Sequence, residues 1–267
     1  MASLPSLFIS HGSPMHALDA GAPGRAWAAL ADALPRPSAL LMVSAHWETS
    51  LPLLGGSRQP ETMHDFGGFP AELYQLRYPA PGAPEVAERA AALLHEAGLG
   101  ARIDGLRGLD HGAWSPLLHM YPQADVPVLQ LSVQPQLDAA HHLAMGRALA
   151  PLRAEGVLVI GSGHATHNLR DWMAGPPDAP PLPYAKAFAD WLHQRLCAGD
   201  DAALTGWREL APAAERAHPS VEHYLPLLVA WGAAGERPRA ERFFAGFDGP
   251  ALAMDAYRFD AALQVRA

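Results

Sequence analysis

The chain has almost no cysteine and no long uninterrupted hydrophobic run. Its single cysteine, Cys197, excludes a disulfide framework and a thiolate metal site, and its place in a helical pattern predicts an inert, buried thiol. No stretch approaches the roughly 20 apolar residues of a membrane helix, and the amino terminus shows neither a charged leader nor a cleavage site. We therefore expect no membrane partner and a cytoplasmic location by default.

Basic residues are scarce as well. The 267 residues include 19 Lys and Arg against 27 Asp and Glu, which gives a formal net charge of −8, and no basic run occurs. Nucleic-acid binding needs clustered Lys and Arg opposite the phosphates, so no nucleic-acid partner is expected. The hydrophobic fraction of 49% is that of an ordinary globular protein. We predict a single domain over residues 1–267 that is a monomer or a small homo-oligomer.

Short apolar runs alternate with helical patterns along the chain. Runs rich in Val, Leu and Ile, typical of strands buried on both faces, cover residues 4–10, 39–45, 126–133 and 156–161. Helical periodicity covers 24–34, 84–98 and 138–155, and two further strands, antiparallel at an edge, are predicted at 241–247 and 251–258. This alternation predicts an α/β fold, a single domain with a central mixed or parallel sheet flanked by helices on both faces.

Two segments rich in Gly and Pro fit no regular element. Residues 61–81 form a long segment that contains several aromatic side chains, and long ordered loops at the ends of a sheet often wall a binding cleft. Residues 172–183 are expected to be a plain surface crossover. We therefore predict that the first segment forms a wall of a binding cleft and that the second does not.

Histidines stand where the predicted strands end. His11 follows the first strand, His46 the second, and His164 and His167 the fourth, while His223 is predicted in the first turn of a later helix. Ligands of open α/β sheets bind beyond the carboxyl ends of the parallel strands, so these side chains are expected to converge. Imidazoles without cysteine suit Zn, Fe, Ni or Cu rather than Mg or Ca. The residues predict a transition-metal or acid–base site.

Other positions could complete such a site. His111 follows Asp110, which could orient its ring, and we expect it to contact substrate or to support a ligand. His64, Phe66 and Phe69 lie in the aromatic segment and are predicted to bind substrate, with the rings sandwiching a planar molecule. No nucleophile elbow, Walker loop, dinucleotide-binding glycine motif or HExxH motif occurs.

Several strings of residues, in order along the chain, resemble one known family. They are FISHGSPM, VSAHWET, HDFGGFPAELY, YPAPG, LDHGAWSPL, MYPQADVPVLQLS, HNLR and EHYLPLL. The sequence resembles the class III extradiol ring-cleaving dioxygenases, and among them the branch of 4,5-DOPA extradiol dioxygenase-like proteins. The resemblance runs over residues 7–231.

The resemblance implies an activity and a role for each histidine. It implies an enzyme that uses O2 to open a small catechol-type, DOPA-like aromatic beside its two hydroxyls, giving a muconic semialdehyde. Fe(II) is the expected metal of the active enzyme, and Zn(II) is an ion that members also hold. It implies His11, His46 and His223 as metal ligands, His167 as the acid–base residue with a possible fourth contact to the metal, and His111 as a contact to substrate or oxygen.

Three alternatives stay open at this point. Better-known members of the superfamily use two histidines and a glutamate, and Glu222 directly precedes His223. Adjacent helical residues point about 100° apart, so one cannot replace the other, and we favour His223. A zinc hydrolase on the same histidines would not need O2. A non-catalytic metal-binding or peptide-binding module would be expected to lack a ligand or His167.

Overall fold

The structure, a computed structural model, describes residues 3–176 and 178–262. Its strands are β1 (Ser6–Ser10), β2 (Ala39–Glu48), β3 (Leu53–Gly55), β4 (Arg102–Asp104), β5 (Val128–Val133), β6 (Val157–Gly163), β7 (Arg239–Phe244), β8 (Phe247–Asp248), β9 (Leu252–Ala253) and β10 (Ala256–Asp260). Its α-helices are α1 (Gly21–Ala33), α2 (Pro84–Glu96), α3 (His111–Met120), α4 (Ala139–Leu149), α5 (Leu169–Met173), α6 (Pro183–Ala198), α7 (Asp201–Thr205), α8 (Trp207–Leu210), α9 (Ala214–Ala217) and α10 (Leu225–Ala233).

One large mixed sheet organises the molecule. Its eight strands stand in the order β4-β3-β5-β2-β6-β1-β10-β7. The central strands β5, β2, β6 and β1 are parallel, whereas β10 and β7 pair antiparallel at one edge. Strands β8 and β9 form a separate hairpin. The predicted single-domain α/β fold with a mixed sheet is confirmed, as is the antiparallel edge formed by the last strands.

Helices cover both faces of the sheet because successive strand residues point to opposite sides. In β1, Leu7 and Ile9 join a core with residues of α1 and α3, while Phe8 joins a second core with α2, α4, α6 and α10. All three side chains are fully buried. Burying a side chain of this size stabilises the fold by about 1.5–3 kcal/mol. No helix in the described part of the chain combines the length and apolar character needed to cross a membrane.

Strand β2 is longer than predicted. It runs to Glu48, so His46 lies within the strand instead of after it. The register with β5 shifts between Val43 and Glu48, where residues 44–47 of β2 face only residue 132 of β5. Such an irregularity bends a strand and redirects its side chains, and it places His46 at the carboxyl end of the central strands.

Two other predictions need correction. The helix predicted over 138–155 ends at Leu149 and continues as a 3-10 turn, Ala150–Arg153, because Pro151 has no N–H to extend the α-helical ladder. Cys197, predicted to be buried, is exposed. Helix α6 packs Leu192 and Leu196 into the core, and the residue after Leu196 points away from it.

Two glycines of β6 let the residues before α10 and the first turn of α10 lie directly on the sheet. A Cβ at Gly163 would stand 2.2 Å from the carbonyl oxygen of His223, and one at Gly161 would stand 2.2 Å from that of Pro226. The N–H of His164 donates to the same His223 carbonyl at 2.9 Å. Close backbone approach, which only glycine allows here, therefore holds His223 at the end of β6.

We expect Gly163→Ala to lower the free energy of unfolding by about 1–3 kcal/mol, the usual cost of overpacking, and to displace His223. Chemical denaturation measures the first effect. Gly105→Ala is the matched control, since a Cβ there meets nothing within 4 Å and the stability should change by less than about 0.5 kcal/mol. Equal stability of the two variants would contradict the close-approach argument.

Candidate active site

Three parallel strands and one loop bring five histidines together at the carboxyl ends of the strands. His11 follows β1, His46 lies near the end of β2, and His164 and His167 follow β6. His223 was predicted in the first turn of a helix, but it lies two residues before α10. The ring centroids of His11, His46 and His223 lie 4.9–5.4 Å apart. One ring nitrogen from each of these three lies within 4.8 Å of the others.

The tautomer of His11 is set by a buried serine. The Nδ1 of His11 lies 3.0 Å from the Oγ of Ser162, and the hydroxyl of Ser162 donates to the carbonyl of Gly112. Because that hydroxyl proton is used, Ser162 accepts from His11, and Nδ1 carries the ring proton. The Nε2 of His11 is left with a lone pair, 3.0 Å from the Nε2 of His46.

Glu222 contacts the back of the His223 ring. The Nδ1 of His223 donates to the Oε1 of Glu222 at 2.9 Å, which leaves the Nε2 of His223 with its lone pair. A carboxylate on one ring nitrogen commonly orients a histidine whose other nitrogen binds a metal. His223 therefore lines the cleft, whereas Glu222 does not and contacts the other ring nitrogen of His223.

The three histidines are neutral at pH 7. Burial, followed by the neighbouring imidazoles, holds the pKa of His11 and of His223 well below its ordinary value, and the pKa of His46 is lowered to about 4 by burial and then by His111. Neutral imidazole is the form that binds transition metals. The Nε2 atoms of His11 and His46 lie 3.0 Å apart, close enough that both could bind one ion.

His167 and His164 differ in what their rings can do. The ring of His167 stacks on that of His223 at a centroid distance of 3.5 Å. Burial, then the neighbouring His218, lowers the pKa of His167 to about 3, so this ring is neutral at pH 7. The Nε2 of His164 instead accepts a hydrogen bond from the N–H of Gly12 at 3.0 Å. That lone pair is engaged, so His167 is the better placed proton acceptor.

Asp65 orients His111. The sequence had suggested Asp110 for this role. The backbone N–H and the Nδ1–H of His111 donate to Asp65 at 2.8 and 2.9 Å. Burial alone would raise the pKa of Asp65, but the bonds and charge of His111 outweigh it and lower that pKa to about 2. The buried carboxylate of Asp110 accepts instead from Ser44, Arg107 and Gln130. Sequence reasoning missed Asp65, although it lies in the segment predicted to wall the cleft.

The histidines open into a cleft of about 300 Å³. Phe66 and Phe69 line it, so the segment 61–81 lies where a wall was predicted. His64 does not reach the cleft, because its ring packs behind Phe66 and its Nε2 contacts the carbonyl of Leu76 at 3.2 Å. A volume of this size is at the lower end of small-molecule sites and accommodates a single-ring substrate.

The segment 172–183 is not the plain crossover that was predicted. Trp172 and Met173, at the end of α5, line the cleft. Helix α5 begins after Asn168, whose side chain accepts from the N–H of Asp171 as an N-cap. The short helix that follows His167 therefore forms part of the binding wall.

Ser162→Ala is expected to weaken metal binding about 10- to 100-fold, the usual effect of removing the group that orients a ligand. Competition with a chromophoric chelator measures this. Ser115→Ala is the matched control, since Ser115 is equally buried and its hydroxyl has no partner among the described residues. Equal metal affinity of the two variants would show that Ser162 does not act through His11.

Comparison with known proteins gives the family. A family model described as the catalytic LigB subunit of aromatic ring-opening dioxygenase matches residues 5–246. A 4,5-DOPA dioxygenase extradiol of Beta vulgaris is 45% identical over 260 residues, 95% of this chain and 96% of that protein. A protein of the same name from Escherichia coli K12 is 41% identical over 242 residues, 88% and 87% of the two chains.

A crystal structure of an uncharacterized protein from Escherichia coli K12 has the same fold, with a TM-score of 0.82 and 35% sequence identity over 96% of this chain and 99% of that one. The resemblance found in the sequence is thus confirmed over nearly the whole chain. With its fold, its cluster of histidines and these relatives, the chain belongs to the family of the catalytic LigB subunit of aromatic ring-opening dioxygenases.

Proposed function

We propose that this chain cleaves a catechol-type, DOPA-like aromatic by the extradiol route at the histidine cleft, giving a muconic semialdehyde. One observation carries the proposal. Neutral His11, His46 and His223 each bring one ring nitrogen to within 4.8 Å of the other two, in a cleft large enough for a single ring. The neutral ring of His167 stacks on that of His223.

The reaction balances without an outside reductant. The ring C–C bond between one hydroxyl-bearing carbon and its C–H neighbour breaks, and both atoms of O2 enter the product. The hydroxyl-bearing carbon becomes the carbon of a carboxylic acid, and the C–H carbon becomes that of an aldehyde. The electrons that reduce O2 come from the catechol.

His11, His46 and His223 would hold the ion, with Fe(II) expected in the active enzyme and Zn(II) a competing occupant. When bound, the ion supplies a Lewis acid for the catechol oxygens and a redox centre between catechol and O2. His167 has the neutral ring needed to take the proton of a catechol hydroxyl and to return it later. We also propose it as a fourth contact to the ion.

His111 lines the same cleft, and its ring centroid lies 4.0 Å from that of His46. Asp65 fixes its Nδ1, which leaves Nε2 for substrate or for reduced oxygen. Phe66 forms an edge-on contact with His111 at a centroid distance of 5.6 Å, and we propose that Phe66 and Phe69 hold the plane of the aromatic ring. His64 is left out of this substrate-binding set, because it lies behind Phe66.

An oxygen-electrode assay tests the proposal. With Fe(II)-loaded protein and a panel of catechols that includes DOPA, we expect one O2 consumed per catechol and a yellow semialdehyde product, with no reductant added. Under argon no product should form. Conversion that continues undiminished under argon would contradict the proposal and indicate hydrolysis at the same ligands, and binding without conversion would indicate a non-catalytic module.

A further inference from the structure

We propose that His218, a buried residue that does not line the cleft, positions the acid–base residue His167 by holding the backbone that carries it. The inference rests on the proposed function, since that function gives His167 its part in proton transfer. It concerns the connection between β6 and α5, residues 164–168, which brings His167 to the cleft. His218 is thus a positioning residue, which acts only through His167.

One ring nitrogen of His218 donates to this connection. The Nε2 of His218 lies 3.0 Å from the carbonyl oxygen of Ala165, and both residues are fully buried. A carbonyl oxygen only accepts, so Nε2 carries the ring proton. Burial lowers the pKa of His218 to about 4, so the ring is neutral at pH 7 and has this single N–H. The one donor of the ring is therefore committed to the backbone two residues before His167.

The two residues before His218 hold the same connection at two further points. The backbone N–H of His167 donates to the carbonyl of Ala217 at 2.8 Å. The side-chain amide of Asn168 donates to the carbonyl of Arg216, also at 2.8 Å. Three consecutive residues thus bind three of the five residues of the connection, and His218 is the one that contributes a side-chain donor.

Aromatic rings fix the position of the His218 donor. Its ring lies edge-on to those of Phe188, Trp207 and Tyr224, at centroid distances of 5.2–5.6 Å, and all three belong to the buried core. The Nδ1 of His218 is buried there without a hydrogen-bond partner among the described residues. Burying a polar ring in such surroundings costs free energy that a phenylalanine would not cost. What the imidazole adds in return is the bond to Ala165.

The placement of His167 matters because proton transfer depends on its geometry. Its ring stacks on that of His223 at 3.5 Å, and a displacement of about 1 Å can lower a rate about 100-fold. His223 is held separately, since its carbonyl accepts from the N–H of His164 directly after β6. Loss of the bond from His218 should therefore shift His167 and leave the metal ligands in place.

Three substitutions of His218 separate the role of its N–H from that of its ring. His218→Phe keeps an aromatic ring and removes the donor, so we expect kcat to fall about 10- to 100-fold, with KM and metal content changed by less than about threefold. His218→Gln brings an amide N–H near the position of Nε2 and should recover most of this loss, whereas the shorter His218→Asn should not.

Two kinetic outcomes would overturn the inference. The first is a kcat for His218→Phe equal to that of the unaltered protein, because the ring would then serve only for packing. The second is an equal loss in all three variants, because the donor would then not matter. If His218→Phe does not fold, the comparison of His218→Gln with His218→Asn decides.

A double-mutant cycle shows whether His218 acts through His167. In a His167→Ala background, His218→Phe should change the single-turnover rate by less than about twofold, since groups that act as a unit are not additive. A further tenfold loss would contradict the inference. His142→Phe is the matched control, because His142 is equally buried, is hydrogen-bonded through both ring nitrogens and does not line the cleft. It should lose stability and keep its kcat, and an equal loss of kcat there would contradict the inference as well.

Hydrogen exchange in the metal-free protein separates a failure of this inference from a failure of the proposed function. We expect the amide of His167 to exchange at least about tenfold faster in His218→Phe, with His218→Gln close to the unaltered protein and Val159 in β6 unchanged in both. If no catechol is cleaved, the proposed function fails, and these rates still decide whether His218 holds His167. An unchanged rate at His167, or equal acceleration at Val159, would contradict it.

Discussion

Replacing His167 by alanine is expected to lower kcat about 10²- to 10⁴-fold while the protein still binds metal. The factor is what a positioned general acid–base group contributes, and the neutral ring of His167 lies directly beside His223. The ligand nitrogens of His11, His46 and His223 do not depend on it, although its ring stacks on that of His223. The loss should therefore fall on turnover, and the metal content should stay largely intact.

Single-turnover kinetics and metal analysis of the same preparation measure the two effects. His167→Gln, which keeps a planar polar group beside His223, should lose turnover as well, since an amide does not transfer protons near neutral pH. His95→Ala is the control, because His95 is exposed on α2 away from the cleft, and it should behave as the unaltered protein. Full turnover in His167→Ala would refute the acid–base role.

Removing His223 is expected to abolish tight metal binding, whereas removing its neighbour Glu222 should only weaken it. His223→Ala takes away one of three converging nitrogens. Glu222→Ala leaves those nitrogens in place and removes the carboxylate that orients one of them, which should reduce metal affinity about 10- to 100-fold. Both variants should lose activity at limiting metal.

Metal titration distinguishes the two variants. At saturating Fe(II), we expect Glu222→Ala to recover most of its activity and His223→Ala to recover none. Glu222→Gln serves as the conservative variant, since its amide oxygen still accepts from the Nδ1 of His223. If Glu222→Ala loses the metal completely and His223→Ala keeps it, then the carboxylate is the ligand and the assignment of His223 is wrong.

The sheet and the positions of its histidines could be predicted because they depend on local patterns. Apolar runs identify strands, and a histidine at the end of a run lies at the carboxyl edge wherever the strands are parallel. His11 and His167 follow directly from this rule. His46 follows from it only in part, because the irregular pairing of β2 with β5 that redirects it has no sequence signal.

The groups behind the histidines could not be predicted, because they are distant along the chain. Ser162 lies 151 residues from His11, and Asp65 lies 46 residues from His111. The nearer acid, Asp110, is bound by other partners, a fact that only the folded chain reveals. Trp172 and Met173 were missed for a related reason, since a segment rich in Gly and Pro carries no signal for the face that it covers.

The central claim is that one ion held by His11, His46 and His223 makes this cleft a ring-opening site, and Fe(II) titration of the metal-free protein tests it most directly. Catechol is added under argon and O2 is then admitted. We expect semialdehyde formation to rise linearly with added Fe(II) and to stop rising at one ion per chain, with none in His223→Ala and none with Zn(II) alone. Undiminished turnover in the presence of a strong chelator, or an unchanged titration in His223→Ala, would contradict it.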